Sequence, residues 1–357
     1  MKKQQEESYL EQLNRLHSRN CTNPLKKFCK DFLADYTRND LQNFARACIQ
    51  EDKIETFLQN PTLQIIPDEL EAEELAKQFV AYFRLPKFPT LTNLLKLAKS
   101  MNIEQIEGLP LPRSIRGFHE EWEGTYSIKY KKDDWIGAIE HTILHEIREI
   151  MENMFEELLS GHERLSRRAL ESEANLFAAC VLMPGEQFLS DVYELGFDPI
   201  RLQKKYRRAY SSILIRMMKV VSGRLPFIGV LYEKNGSETN GALLNVTYFV
   251  KTPNIKTNRK HGRLLWCYIP REGSNVVNSS IAYSVIKYGQ SIYREKATGF
   301  DFFGYDDFSF IARPVYRKGG HITKIAVIGV PYEHRTVLKV QLDKIDPLFL
   351  PECFQMI

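Results

Sequence analysis

The sequence predicts an α+β chain: a mainly helical front part built around one buried helix pair, then a strand-rich α/β part. Two observations carry this. Apolar residues recur at helical spacing over 139–155 and again over 176–182. After about residue 226, β-branched and aromatic runs separated by turn signals become frequent. At 357 residues the chain has room for two or three domains. The expected division is a helical extension (1–66), a compact helical domain (67–190), a helical connector (191–225) and an α/β domain (226–357).

Residues 1–66 carry charged faces and apolar positions such as Leu10, Leu13, Leu16, Phe28, Phe32, Leu33, Phe44 and Phe57, and no motif. From Asp68, the run DELEAEELAKQFVAYF reads as a helix with acids in its first turn, where they suit the macrodipole. Pro86 and Pro89 break the chain, and Thr90 opens a short helix to Ala98. Residues 109–117 read as a loop, and 125–130 as a strand with Tyr126, Ile128 and Tyr130 on one side. Such a strand, lying before the central helix, can pair with an extended peptide; an ordinary sheet strand explains it equally well.

The central helix begins after Asp134, a candidate N-cap, and buries Ile139, Ile143, Leu144, Ile147, Ile150, Met151, Met154 and Phe155. On it His145 and Glu149 stand four residues apart and share a face, with Glu146 beside them. In H-E-x-x-H the outer residues hold a metal and the Glu is base to its bound water. Here the run is H-E-x-x-E. A carboxylate can ligate zinc, but it makes the donor set harder and more anionic, which leaves other divalent metals open. A lone run of this kind is also what a solvated charge cluster looks like. A second helix, returning after a turn at Ser160-Gly161 and stopped by Pro184, adds Glu171 and Asn175, again four apart. One of them can ligate while the other orients a ligand. Glu173 is a lesser candidate ligand, as is His141, four residues before His145.

The run ESEANLFAACVLMP (171–184) closely resembles the E-x-x-A-N-x-F-A-A-x-x-L-M-P signature of the ImmA/IrrE family of metallopeptidase-like regulators. HTILHEIREI (141–150) resembles the active-site helix that precedes it there. The resemblance is strong over about 110–190 and fair to about 225. It implies a zincin-like metallopeptidase domain that holds one zinc ion and cleaves a specific protein partner, such as a DNA-binding repressor. By position, His145 and Glu171 fall on metal ligands, Glu146 on the catalytic base, and Glu149 on the place of the second His. Sensor domains of the GAF type follow the peptidase in some relatives, so the resemblance makes 226–357 a GAF-like candidate. The departure at Glu149 also admits another class of function, a non-catalytic regulator that keeps the peptidase fold to bind a partner or ligand.

Residues 187–195 and 200–221 read as helices, and 198–218 can form a helix-turn-helix in which Lys204, Lys205, Arg207, Arg208 and Arg216 are basic. A helical pair packed on a core explains the same residues, and direct nucleic-acid binding is not expected. Strands are expected at 227–232, 242–250, 264–269, 308–316 and 322–330, with a helix at 281–288. The basic stretch 251–263 reads as a solvated hairpin tip. A net charge of +4 is too small to argue for nucleic acid by itself. The six cysteines show no C-x-x-C pair, which favours a reducing compartment. With no secretory signal pattern and no long apolar run, the chain is expected to be cytoplasmic and without a membrane span.

Overall fold

The computed structural model describes residues 22–33, 69–158, 167–235, 243–253, 255, 259–260, 263–264, 281–295, 308–317 and 320–344. It is a mixed α+β protein of two compact units, Met1–Pro184 and Gly185–Ile357. The segment 191–225, expected as a connector, therefore lies within the second unit. The expected turn at Ser160-Gly161, most of the N-terminal extension and most of the strand at 264–269 lie outside the described residues. No described helix is long and apolar enough to cross a membrane, and neither Cys29 nor Cys180, both buried, is in a disulfide.

The first unit contains helices α1 (24–33), α2 (Glu69–Tyr82), α3 (Leu91–Ser100), α4 (Ile136–Leu158) and α5 (Arg167–Leu182). Its core is rich in aromatic rings. Phe79 of α2 meets Phe28 at 5.6 Å and Phe177 at 5.2 Å, both edge-on, and Phe32 lies 6.3 Å from Phe155. Such offset pairs are the favoured ring geometry. The stretch 24–33, expected within a separate extension, is part of this core through Leu25, Phe28 and Phe32. Thr90 starts α3, its N–H donating to Asn93 Oδ1 at 2.9 Å, and Glu140 of α4 accepts from Leu91 N at 2.8 Å. That long-range carboxylate satisfies an amide which a helix start otherwise leaves unpaired. Asp134 accepts from Trp135 N at 3.0 Å, one residue ahead of the position expected for it.

Three strands complete the unit: β1 (Ile103–Leu109), β2 (Gly117–Trp122) and β3 (Thr125–Lys131). Their order is β1-β3-β2, with β3 parallel to β1 and antiparallel to β2. A strand was expected at 125–130, and β3 is that strand; its two neighbours were not expected. IEQIEGL and GFHEEW are largely solvent-facing and show little apolar alternation. Trp122 and Thr125 pair across a two-residue turn in which Glu123 and Gly124 both have positive φ (48° and 79°). That is the primed hairpin geometry whose twist suits antiparallel strands. Because β3 is paired on both sides, the strand whose edge is unpaired on the β2 side, among the described residues, is β2 and not β3.

One buried ionic group ties the two central helices together. Arg148 of α4 is 1% exposed. Its Nη1 donates to Glu152 Oε2 at 2.9 Å within the helix, and its Nη2 to Glu173 Oε2 of α5 at 2.8 Å. The guanidinium also lies 5.6 Å from the Phe155 ring.

The second unit begins with α6 (Gly185–Glu194), α7 (Pro199–Tyr206) and α8 (Tyr210–Val221). Asp198 caps α7, accepting from Ile200 N at 2.9 Å and Arg201 N at 3.2 Å, with Pro199 in the first turn. Of the basic residues in this helical pair, Arg208 and Arg216 are buried and Lys205 pairs with the buried Asp191 at 2.8 Å. These three residues contribute to packing within the unit. Strands β4 (Ile228–Asn235), β5 (Leu243–Lys251), β8 (Ile292–Arg294), β9 (Phe308–Tyr316) and β10 (Ile322–Pro331) form one antiparallel sheet in the order β5-β4-β10-β9-β8. The pairs Arg259–Lys260 (β6) and Arg263–Leu264 (β7) form a separate two-stranded ribbon. Helix α9 (Ile281–Tyr288) packs Ile281, Ala282 and Val285 into the core of the sheet, and a 3₁₀ segment, Tyr332–Lys344, follows β10.

Replacing Arg148 by Ala is expected to lower the unfolding free energy by about 3–5 kcal/mol, because it leaves Glu152 and Glu173 buried without their cation. The triple variant Arg148→Met, Glu152→Leu, Glu173→Leu, which removes all three charges, is expected to lose much less. Urea unfolding of both variants checks the order.

Candidate metal centre

The site forms where α4 passes beneath the β2 side of the small sheet and alongside α5. Helix α4 supplies His145, Glu146 and Glu149. The four-residue spacing places His145 Nε2 3.4 Å from Glu149 Oε1. From α5, Glu171 brings Oε2 to 3.7 Å from His145 Nε2. These three residues form a convergent donor group, one ligand atom of each lying within 4.8 Å of the others. Bonds of about 2.0–2.2 Å arranged tetrahedrally separate neighbouring donors by about 3.4 Å. The two spacings from His145 sit near that value, and the three residues could hold a divalent cation.

Glu146, 4% exposed, is not in that group. Its Oε2 lies 2.9 Å from Nδ1 of His119, a residue of β2. The same His119 Nδ1 is 3.6 Å from Glu149 Oε2, and His119, Glu146 and Glu149 form a second convergent group. The sequence reading missed His119, although strand register could have found it. With a two-residue turn at Glu123-Gly124, His119 pairs with Ile128, and paired residues face the same side of a sheet. Tyr126 and Ile128 are the buried residues of β3, so His119 is on the helix-facing side. Gly117 shares that side. A Cβ there would stand 2.3 Å from Thr142 Cγ2 and 2.8 Å from Lys129 O, so only glycine lets β2 settle this closely on α4.

The remaining candidates are placed differently. Glu173 is turned to Arg148, 2.8 Å away, and acts in the ionic core. His141 lies one turn before His145, ring centroids 6.4 Å apart, and belongs to neither convergent group. Asn175, expected to orient a ligand of the first helix, instead donates from Nδ2 to the backbone carbonyl of Glu171 at 2.7 Å. It steadies the turn that carries Glu171 and leaves that carboxylate available.

Charge coupling within the site is strong. Burial of His145 opposes its protonation, but the hydrogen bond to Glu149 and the negative charges of Glu146, Glu149 and Glu171 outweigh it, so its pKa is raised. The hydrogen bond from His145 is the largest influence on Glu149; it prevails over burial, and with the charges of His145, His119 and Arg167 lowers the Glu149 pKa. Without a cation the pair is therefore an ion pair between those two pKa values, and protonated imidazole supplies the positive charge at the site.

The sequence matches no family profile and no curated protein. Among solved structures, a Mycobacterium tuberculosis transcriptional regulator is similar, with a TM-score of 0.50 over 76% of this chain and 79% of that one at 15% identity. A likeness at that identity speaks for the fold alone.

The raised pKa of His145 fixes the sign of a pH effect. A cation must displace the imidazole proton, so apparent zinc affinity is expected to fall as pH drops through that pKa, by about tenfold per unit, and to level off above it. Because the pKa is raised, the fall starts above the ordinary histidine value of about 6.5. Competition titrations against a zinc chelator across pH check this; an affinity indifferent to pH contradicts His145 as a ligand. For the metal-free protein, the stability from this ion pair is lost on both sides. It fades as pH rises through the His145 pKa and as pH falls through the lowered pKa of Glu149.

Proposed function

We propose that the first unit is a zincin-like, zinc-dependent endopeptidase of the ImmA/IrrE type, acting on a specific protein partner such as a transcriptional repressor. The observation that carries this reading is the convergence of His145, Glu149 and Glu171 with the carboxylate of Glu146 immediately beside them. A cation held by those three would polarise the scissile carbonyl and make a water acidic enough to attack it. Glu146 takes the proton of that water and returns it to the departing amide nitrogen. His119, 2.9 Å away, orients the Glu146 carboxylate. An extended peptide pairs along the outer edge of β2, whose main-chain groups lie beside the site. The second unit, one antiparallel sheet with α9 packed on it, is read as a GAF-like sensor domain that regulates the first. The fold neighbour, a transcriptional regulator, is in keeping with a regulatory setting.

The test is Glu146→Gln in the full chain, with zinc content measured beside proteome-wide mapping of new N-termini after expression. Zinc at His145, Glu149 and Glu171 is expected to remain bound, and cleavage to fall about 100- to 10,000-fold, the range for losing a general base. If the variant retains its full biological output, the catalytic reading falls and the fold acts as a non-catalytic regulator. If the wild type binds no divalent ion under metal-replete conditions, the metal centre itself is overturned.

A further inference from the structure

Glu149 faces two ways. Its Oε1 lies 3.4 Å from His145 Nε2, and its Oε2 lies 3.6 Å from His119 Nδ1. One oxygen thus faces His145, which groups with Glu171, and the other faces His119, which groups with Glu146. The second group has its own imidazole and its own carboxylate, carried by β2 and by α4. Its donor spacings of 2.9 and 3.6 Å bracket the separation of about 3.0–3.4 Å expected between adjacent donors in octahedral or tetrahedral coordination at about 2.1 Å.

We propose that His119, Glu146 and Glu149 form a second divalent-cation site, and that Glu149 bridges the two cations through its two oxygens. The inference rests on the metal-centre reading given above. A bridging carboxylate suits the separation of about 3.5–4 Å between ions in two-metal sites. The donors, one imidazole nitrogen and two carboxylates, fit zinc or manganese. It also gives a physical reason for a carboxylate at position 149: a neutral imidazole has one lone-pair nitrogen and serves one cation, whereas a carboxylate offers an oxygen to each. Filling the second site converts Glu146 from a base into a ligand. Cleavage is then expected to rise with the first cation and fall with the second.

The ligand groups predict an order among variants, so zinc stoichiometry decides. Full-length protein is freed of metal, equilibrated with excess zinc, separated from unbound ion and analysed for bound zinc per chain. The wild type is expected to hold about two equivalents. His119→Ala and Glu149→His are each expected to hold about one. Glu120→Ala, on the opposite face of β2, is expected to match the wild type. Circular dichroism and the thermal midpoint confirm that each variant is folded. One equivalent in the wild type, or an unchanged count in folded His119→Ala, overturns the second site and leaves the first standing. No bound zinc in the wild type overturns both. Should His119→Ala fail to fold, His119→Gln replaces it, since its amide occupies similar space without an imidazole nitrogen, and the same counts decide.

Discussion

The construction depends on the buried guanidinium of Arg148. A charge this deep is costly unless its partners are placed for it, and removing one partner leaves an uncompensated charge. The two forks of Arg148 engage Glu152 on its own helix and Glu173 on the neighbouring one. The first contact fixes the side chain along α4, and the second fixes the rotation and height of α5 against it. Residues two apart on a helix face roughly opposite sides, so committing Glu173 to the interior turns Glu171 toward the rim. There its carboxylate meets His145 across the helix pair. The ionic core ties α5 to α4, and the register of the two helices is what brings a donor of α5 to the donors of α4.

A second constraint comes from the sheet. Gly117 has no side chain to hold β2 away from Thr142, and β2 therefore rests directly on the helix. Two residues further on, the same strand face delivers His119 to Glu146 and Glu149. Helix register thus positions one side of the cluster and strand seating positions the other. The two are independent in origin, since one rests on a buried ion pair and the other on a steric allowance. They meet at Glu149, the only residue belonging to both convergent groups among the described residues.

What was legible in the sequence follows from the range of the interactions. His145 and Glu149 share a helix face by spacing alone, and the periodic burial of α4 was readable from Ile139 to Phe155. In the second unit, apolar β-branched and aromatic residues marked β4, β5, β9 and β10, and the helix at 281–288 was read to its ends. Strands β1 and β2 were not legible, because a sheet covered on one face leaves IEQIEGL and GFHEEW largely exposed and without alternation. With β2 unseen, His119 was not among the candidates, and of the two readings open for 125–130 the ordinary sheet strand, paired on both sides, is the one found. The role of Glu173 was hidden for a related reason. Nothing local distinguishes a glutamate that pairs with a buried Arg148 from one that ligates a cation, since only the packing of α4 on α5 decides between them. The basic run at 204–216 was equally silent on which arginines turn inward.

Charge balance connects these features to chemistry. The two groups together gather three carboxylates, from Glu146, Glu149 and Glu171, with only two imidazoles among them. With both histidines neutral such a cluster carries a strong negative potential in a partly buried setting, where screening by water is weak. The metal-free protein relieves part of it by holding a proton on His145, which is why that pKa rises and that of Glu149 falls. A divalent cation relieves it more completely, and replaces a charge that vanishes at high pH with one that does not. A histidine at position 149 would lower the negative charge and with it the demand for a cation. The glutamate keeps the demand high and presents an oxygen to each side of the cluster. The departure from H-E-x-x-H therefore changes the charge of the site and the number of directions in which residue 149 can bind, while leaving the backbone that carries it unchanged.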